Sequence, residues 1–128
     1  MVEKRLICPR GLRKIPKHFS WLDHRLVREH YIDRLTHPQA ALYLFLVTVA
    51  DAQGLSYYSD RAISERLSMD HFMLHKARTG LVRIGLVAYH KPLYQVLALE
   101  ENRPKIPKHS HGLQSLAQIF KQIGEGAS

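Results

Sequence analysis

Residues 59–99, SDRAISERLSMDHFMLHKARTGLVRIGLVAYHKPLYQVLAL, leave the chain few ways to fold. Ser59 or Asp60 can accept hydrogen bonds from the free amides of a first helical turn, and Ile63 and Leu67 then share one face at i, i+4. That short helix stops near Ser68. Asp70 caps a second helix, along which Leu74, Ala77, Leu81 and Ile84 form one apolar stripe. Gly85 ends it, since glycine adopts positive φ at little cost. LVAY, a tight HKP connection and LYQVLAL then read as two paired strands. The predicted order is helix, turn, helix, hairpin.

Projected at 100° per residue, the second helix places Phe72, Lys76, Thr79 and Arg83 opposite its apolar stripe, with His75 on the flank and His71 in the first turn. A helix that is aliphatic on one side, and carries cations, a hydroxyl and an aromatic ring on the other, can lie in a major groove. The cations would neutralise phosphates or read guanine edges, and Phe72 would touch a thymine methyl. An ordinary solvated face is the competing reading of this helix taken alone. His90 and Lys91 fall at the hairpin tip, where they can reach a phosphate and position the protein more than specify sequence.

The segment AISERLSMDHFMLHKARTGLVRIGLV, with its ending at Leu81, Gly85, Leu86 and Val87, resembles the winged helix-turn-helix superfamily of bacterial DNA-binding proteins. The resemblance spans roughly residues 36–99. It implies a mainly α fold with a small antiparallel β-sheet, a winged helix-turn-helix with extra N- and C-terminal helices. It also implies that residues 70–76 begin the DNA-contacting helix. Ser64 stands where a small alanine is usual, and Ser68 where glycine commonly makes the turn; positive φ at Ser68 would cost about 1 kcal/mol. Gly80 inside the helix costs a similar amount against alanine and permits close packing.

Residues 40–50, AALYLFLVTVA, are the longest apolar run, too short to cross a bilayer. Thr36 with Gln39 predicts a capping box, Pro38 suits a first turn and Gly54 follows the end, so this run reads as a central helix buried all round. Residues 55–58 read as a short strand with one tyrosine of the Tyr57–Tyr58 pair in the core. FSWLDHRLVREHYIDRL predicts a further helix over about residues 20–29, with Trp21, Leu22, Leu26 and Val27 facing the body and the aromatics in the core rather than stacking on bases. That stretch, followed by a capped helix and a helix-turn-helix, is similar to the winged-helix domains of plasmid and phage replication initiators.

HGLQSLAQIFKQI sets Leu113, Leu116, Phe120 and Ile123 in one seam, which suits docking on the chain's own domain or a homodimer through residues 111–123. The expected organisation is a basic arm over residues 1–19, a DNA-binding domain over 20–99, and a polar link with an amphipathic helix over 100–128. The formal charge of +8 suits a polyanionic partner, and taken alone would equally fit a membrane-surface or ribosome-associated protein. It is concentrated: residues 1–18 carry six Lys or Arg against Glu3, and residues 61–91 carry six against Glu65 and Asp70. KIPKH occurs twice, and Lys14, Lys17, Lys105 and Lys108 can hold phosphates along extended backbone.

Cys8 is the only cysteine, so an intramolecular disulfide is impossible, which fits a reducing compartment. The N-terminus lacks a secretory apolar run. His71 and His75 have helical metal-ligand spacing but only Asp70 nearby as a third ligand, so no metal and no cofactor is expected. No phosphate loop, nucleophile elbow or carboxylate cluster points to an enzyme. The expectation is a cytoplasmic, nucleoid-associated protein whose partner is double-stranded DNA and not a membrane. Lys76, Thr79 and Arg83 read or anchor; His71, Phe72 and His75 tune; Arg61, Arg66, Arg78 and Lys91 hold phosphates. A small transcriptional regulator, a replication or mobile-element accessory factor and a winged-helix protein-interaction module remain open.

Overall fold

Thr36 turns the apolar run into a helix by satisfying two amides at once. Its hydroxyl accepts from the Gln39 amide at 3.3 Å, and the Gln39 side-chain oxygen accepts from the Thr36 amide at 3.1 Å. This opens α2 (His37–Val49), which follows a single turn, α1 (Arg25–Arg28). The computed structural model describes residues 2–99, within a chain that divides into a unit of residues 1–98 and another of residues 99–128. The expected polar link, Lys105, Lys108 and the pairing seam over 111–123 lie outside the described residues.

After α2 the chain reverses at residues 51–54. Asp51 accepts from the amides of Gln53 and Leu55 at 2.8 and 2.9 Å, and Gly54 sits at φ 85°. A side chain at Gly54 would also run into the Val96 carbonyl. The chain enters β1 (Leu55–Tyr57) and then α3 (Asp60–Leu67), capped by the Ser59 hydroxyl on the Ala62 amide at 3.1 Å. Ser68 makes the turn in the left-handed region, at φ 54°, as its place in the pattern predicted. Asp70 caps α4 (His71–Ile84) through the Met73 amide at 2.7 Å, and Gly85 ends that helix at φ 90°. A hairpin of β2 (Val87–His90) and β3 (Leu93–Val96) follows.

The three strands are antiparallel in the order β1-β3-β2, so β1 closes onto the hairpin. The architecture is mainly helical with a small antiparallel sheet, in the order expected. The core joins Leu42 and Leu46 of α2, Ile63 of α3, Leu74 and Leu81 of α4, then Leu86, Val87 and Tyr94, all at most 1% exposed. Each such aliphatic side chain contributes about 1.5–3 kcal/mol through burial. α4 also packs on the start of α2, where the Gln39 side chain fills the space a side chain at position 80 would occupy.

Three expectations are corrected. The helix over 20–29 shrinks to α1, because the Asp23 carboxylate accepts from the Arg25 amide and grips the Arg25 guanidinium, starting the turn late. These hydrogen bonds hold the Asp23 carboxyl down at about 2. His30 at φ 61° lies just past the end. Only Leu26 is half-buried; Trp21, Leu22 and Val27 are exposed, as is Phe19, so Phe19 and Trp21 are not core. α2 is not buried all round: Leu42, Tyr43, Leu46 and Val47 face inward, while Leu44 is 55% exposed. Finally, neither Tyr57 nor Tyr58 is in the core. β1 ends at Tyr57, so strand alternation stops before Tyr58, whose ring instead meets Phe45 edge-on at 5.1 Å.

Candidate nucleic-acid interface

The outward face of α4 is assembled by the packing of its other side. Leu74, Ala77 and Leu81 are buried and Ile84 is half-buried, so His71, Phe72, His75, Lys76, Thr79 and Arg83 are left exposed. Phe72 is 71% exposed, and the Lys76 ammonium lies 5.4 Å from its ring centroid. The ring thus carries a cation on its face while remaining open to solvent. α4 contains no acidic residue, so nothing on this helix repels a phosphate.

Two neighbouring elements extend this surface. On α3, Arg61 and Arg66 are exposed, with the Arg61 guanidinium bonded to Glu65 at 3.3 Å. At the hairpin tip His90 and Lys91 are exposed, next to a cis Lys91–Pro92 peptide. Asp60 ties these parts together electrostatically: the hydrogen bond from Arg78 holds its carboxyl below the ordinary range, and the charges of Arg78, His71 and Lys91 act in the same direction. Lys14 and Lys17 are exposed on the arm, which has no regular structure over residues 2–20 beyond a 3-10 turn at Pro9–Gly11.

Arg78 does not belong to this surface. It is 9% exposed, and its Nη1 donates to Asp60 Oδ1 and to the Tyr94 hydroxyl, each at 2.8 Å. Its guanidinium also stacks 4.3 Å from the Tyr89 ring centroid. Burial pushes its pKa down, but the bonds to Asp60 and Tyr94 outweigh this and hold it above the usual arginine value. A cation so buried and so paired is not part of the exposed basic face. Its role is to bind the start of α3, the middle of α4 and both hairpin strands into one frame. A signal for this was present: position 78 lies four residues after Leu74 and three before Leu81, on the edge of the apolar stripe.

Asp60, Tyr89 and Tyr94 are the positioning residues that the pattern of exposed cations did not single out. Burial pushes the Tyr94 hydroxyl pKa up. Among the described residues, no three His, Cys, Asp or Glu side chains gather as metal ligands, and no helix is long and apolar enough to cross a membrane.

No protein-family model matches the chain, and no curated protein sequence matches it. A solved structure described as "Structure of Rep-DNA complex" aligns with a TM-score of 0.45 and 16% identity, covering 88% of this chain and 91% of that one. A likeness of that degree assigns neither fold nor function.

Proposed function

We propose that this chain binds double-stranded DNA by laying the exposed face of α4 in the major groove, with the tip of the β2–β3 hairpin on the flanking backbone. The observation that carries the reading is the acid-free face of α4. It presents Lys76 and Arg83 as cations, Thr79 as a hydroxyl and Phe72 as an apolar contact, on a helix whose opposite side is locked into the core. Lys76 and Arg83 suit phosphates or the O6 and N7 acceptors of guanine; Phe72 suits a thymine methyl. Arg61, Arg66, His90 and Lys91 supply sequence-independent contacts around them.

These are groups that make contacts, so the proposed action is occupancy of a site and not catalysis, as in a small transcriptional regulator. The test is to incubate the purified protein with a random duplex pool at near-physiological salt and sequence what it retains. An enriched motif, with affinity falling by about 0.9 log units per log unit of salt for each phosphate neutralised, is the expected result. Retention without enrichment would reduce the function to non-specific binding. No retention would overturn it and favour a protein partner for the Phe72 face.

A further inference from the structure

Residues 2–22 are exposed at every position, and the only regular structure over residues 2–20 is the 3-10 turn at Pro9–Gly11. Within this stretch stand Lys4, Arg5, Arg10, Arg13, Lys14 and Lys17 against Glu3 alone. The Glu3 carboxylate accepts from Arg5 at 3.1 Å, with both side chains open to water. Among the described residues, Lys4, Arg10, Arg13, Lys14 and Lys17 make no side-chain hydrogen bond and have no acidic partner. A run of unneutralised cations repels itself, and a polyanion relieves that repulsion.

The backbone separates one polyanion from another. A segment that lies on a lipid surface sorts apolar and basic side chains onto opposite faces of a helix. Pro9 and Pro16 interrupt this stretch before such a helix can form, and Leu6, Ile7, Leu12 and Ile15 are interleaved with the cations. Extended backbone advances about 3.3 Å per residue, close to the spacing of about 3.4 Å per charge along each strand of a duplex. Cations carried on such a backbone match a line of phosphates.

The stretch is held at one end. The Ser20 hydroxyl donates to the Thr48 carbonyl at 3.3 Å, and Lys17, His18 and Phe19 line a hollow with Thr48 and Ala50 at the end of α2. Residues 2–16, beyond this hold, span about 50 Å when extended. A folded body of about 100 residues has a radius of gyration of about 13 Å. The arm is therefore long enough to pass the body and reach a duplex seated on α4.

We infer that residues 2–16 form a basic arm that lies along the phosphates of the duplex held by α4, through Lys4, Arg5, Arg10, Arg13 and Lys14. The inference rests on the DNA-binding reading and extends it to DNA outside the major-groove site.

Arg10→Gln, Arg13→Gln and Lys14→Gln, combined in the full chain, test it. Binding to a labelled duplex is followed by fluorescence anisotropy from about 50 to 200 mM salt, beside selection from the random duplex pool. The expected result is a log–log salt slope shallower by about 2.7, with affinity at least about 10-fold weaker at the lower salt. The enriched motif and the thermal melting midpoint should remain those of the wild type, since these side chains are exposed and make no bond to the body. An unchanged slope and affinity, with a motif still enriched, overturns the arm and leaves the α4 reading standing. Wild-type retention without a motif, with the slope still lowered in the triple variant, upholds the arm and fails the α4 reading. A variant that loses binding to phosphatidylglycerol vesicles but keeps its DNA binding assigns the arm to lipid and overturns the inference. A wild type that binds no duplex overturns both.

Discussion

Replacing Arg78 by methionine keeps the aliphatic stem and removes the guanidinium, so it measures what the buried cation contributes. Two losses are large. The Tyr94 hydroxyl belongs to a residue with no exposed surface, and a buried hydroxyl left without a partner costs about 1–3 kcal/mol. The hydrogen bond to Asp60 is charge-assisted, about 1.5–3 kcal/mol, but the Asp60 side chain is 38% exposed and rehydrates when released. The contact with Tyr89 adds about 0.5–2 kcal/mol. Against these stands the desolvation cost of the guanidinium, several kcal/mol, which the variant no longer bears. The net expectation is a destabilisation of about 2–4 kcal/mol.

Asp60→Ala is the informative partner, because it strands a guanidinium whose side chain is only 10% exposed; breaking a buried pair from that side costs about 3–5 kcal/mol. The double variant should therefore cost less than the sum of the two by at least about 1.5 kcal/mol. Urea unfolding followed by far-ultraviolet circular dichroism is the assay. Fluorescence is a poor one, because the only tryptophan, Trp21, is already 75% exposed. A lowered folded-state pKa at Asp60 means that its contribution is present above the unfolded carboxylate value, about 3.9, and is lost as pH falls through the lower folded value. The gap between wild type and Arg78→Met should accordingly narrow in acid. An Arg78→Met variant within about 0.5 kcal/mol of wild type, or strict additivity with Asp60→Ala, would refute the reasoning.

Three further outcomes follow from the same geometry. Lys76→Ala combined with Arg83→Ala should flatten the salt dependence of DNA binding by about 1.8 in log–log slope if both cations meet phosphates, with thermal stability unchanged; an unaltered slope and affinity would remove α4 from its role. Leu81→Ala should cost roughly 2–5 kcal/mol in unfolding free energy by opening a cavity beneath α4, and an unchanged melting midpoint would mean that the helix faces elsewhere. Gly54→Ala should lose at least about 1 kcal/mol, because it combines positive φ with a methyl against the carbonyl of Val96, whose amide donates to the Gly54 carbonyl beside the β1–β3 pairing. Urea midpoints within error of wild type would contradict that.

What could be read from the residues was local. Thr36, Ser59, Asp70 and Gly85 act within one helical turn of themselves, and each terminates or starts its helix as its chemistry predicts. Ser68 turns left-handed as the C-cap of α3, with its amide donating to the Ser64 carbonyl. Arg78 was misplaced because its fate depends on Asp60 and Tyr94, 18 and 16 residues away, and a helical projection alone does not contain those partners. The stretch around Trp21 misled in another way. Its apolar spacing suits a helix, but hydrogen bonds at Asp23 and Ser20 decide its path, and the second of these reaches residue 48.

The small contact between α2 and α4 has an evolutionary corollary. The Gln39 side chain caps its own helix and also occupies the volume above Gly80, so one residue serves both a hydrogen bond at the start of α2 and the spacing of α4 behind it. Neither position is then free to drift alone. Among chains descended from a common ancestor, a larger residue at position 80 should appear together with a shorter one at position 39, and a retained glutamine should travel with a retained glycine.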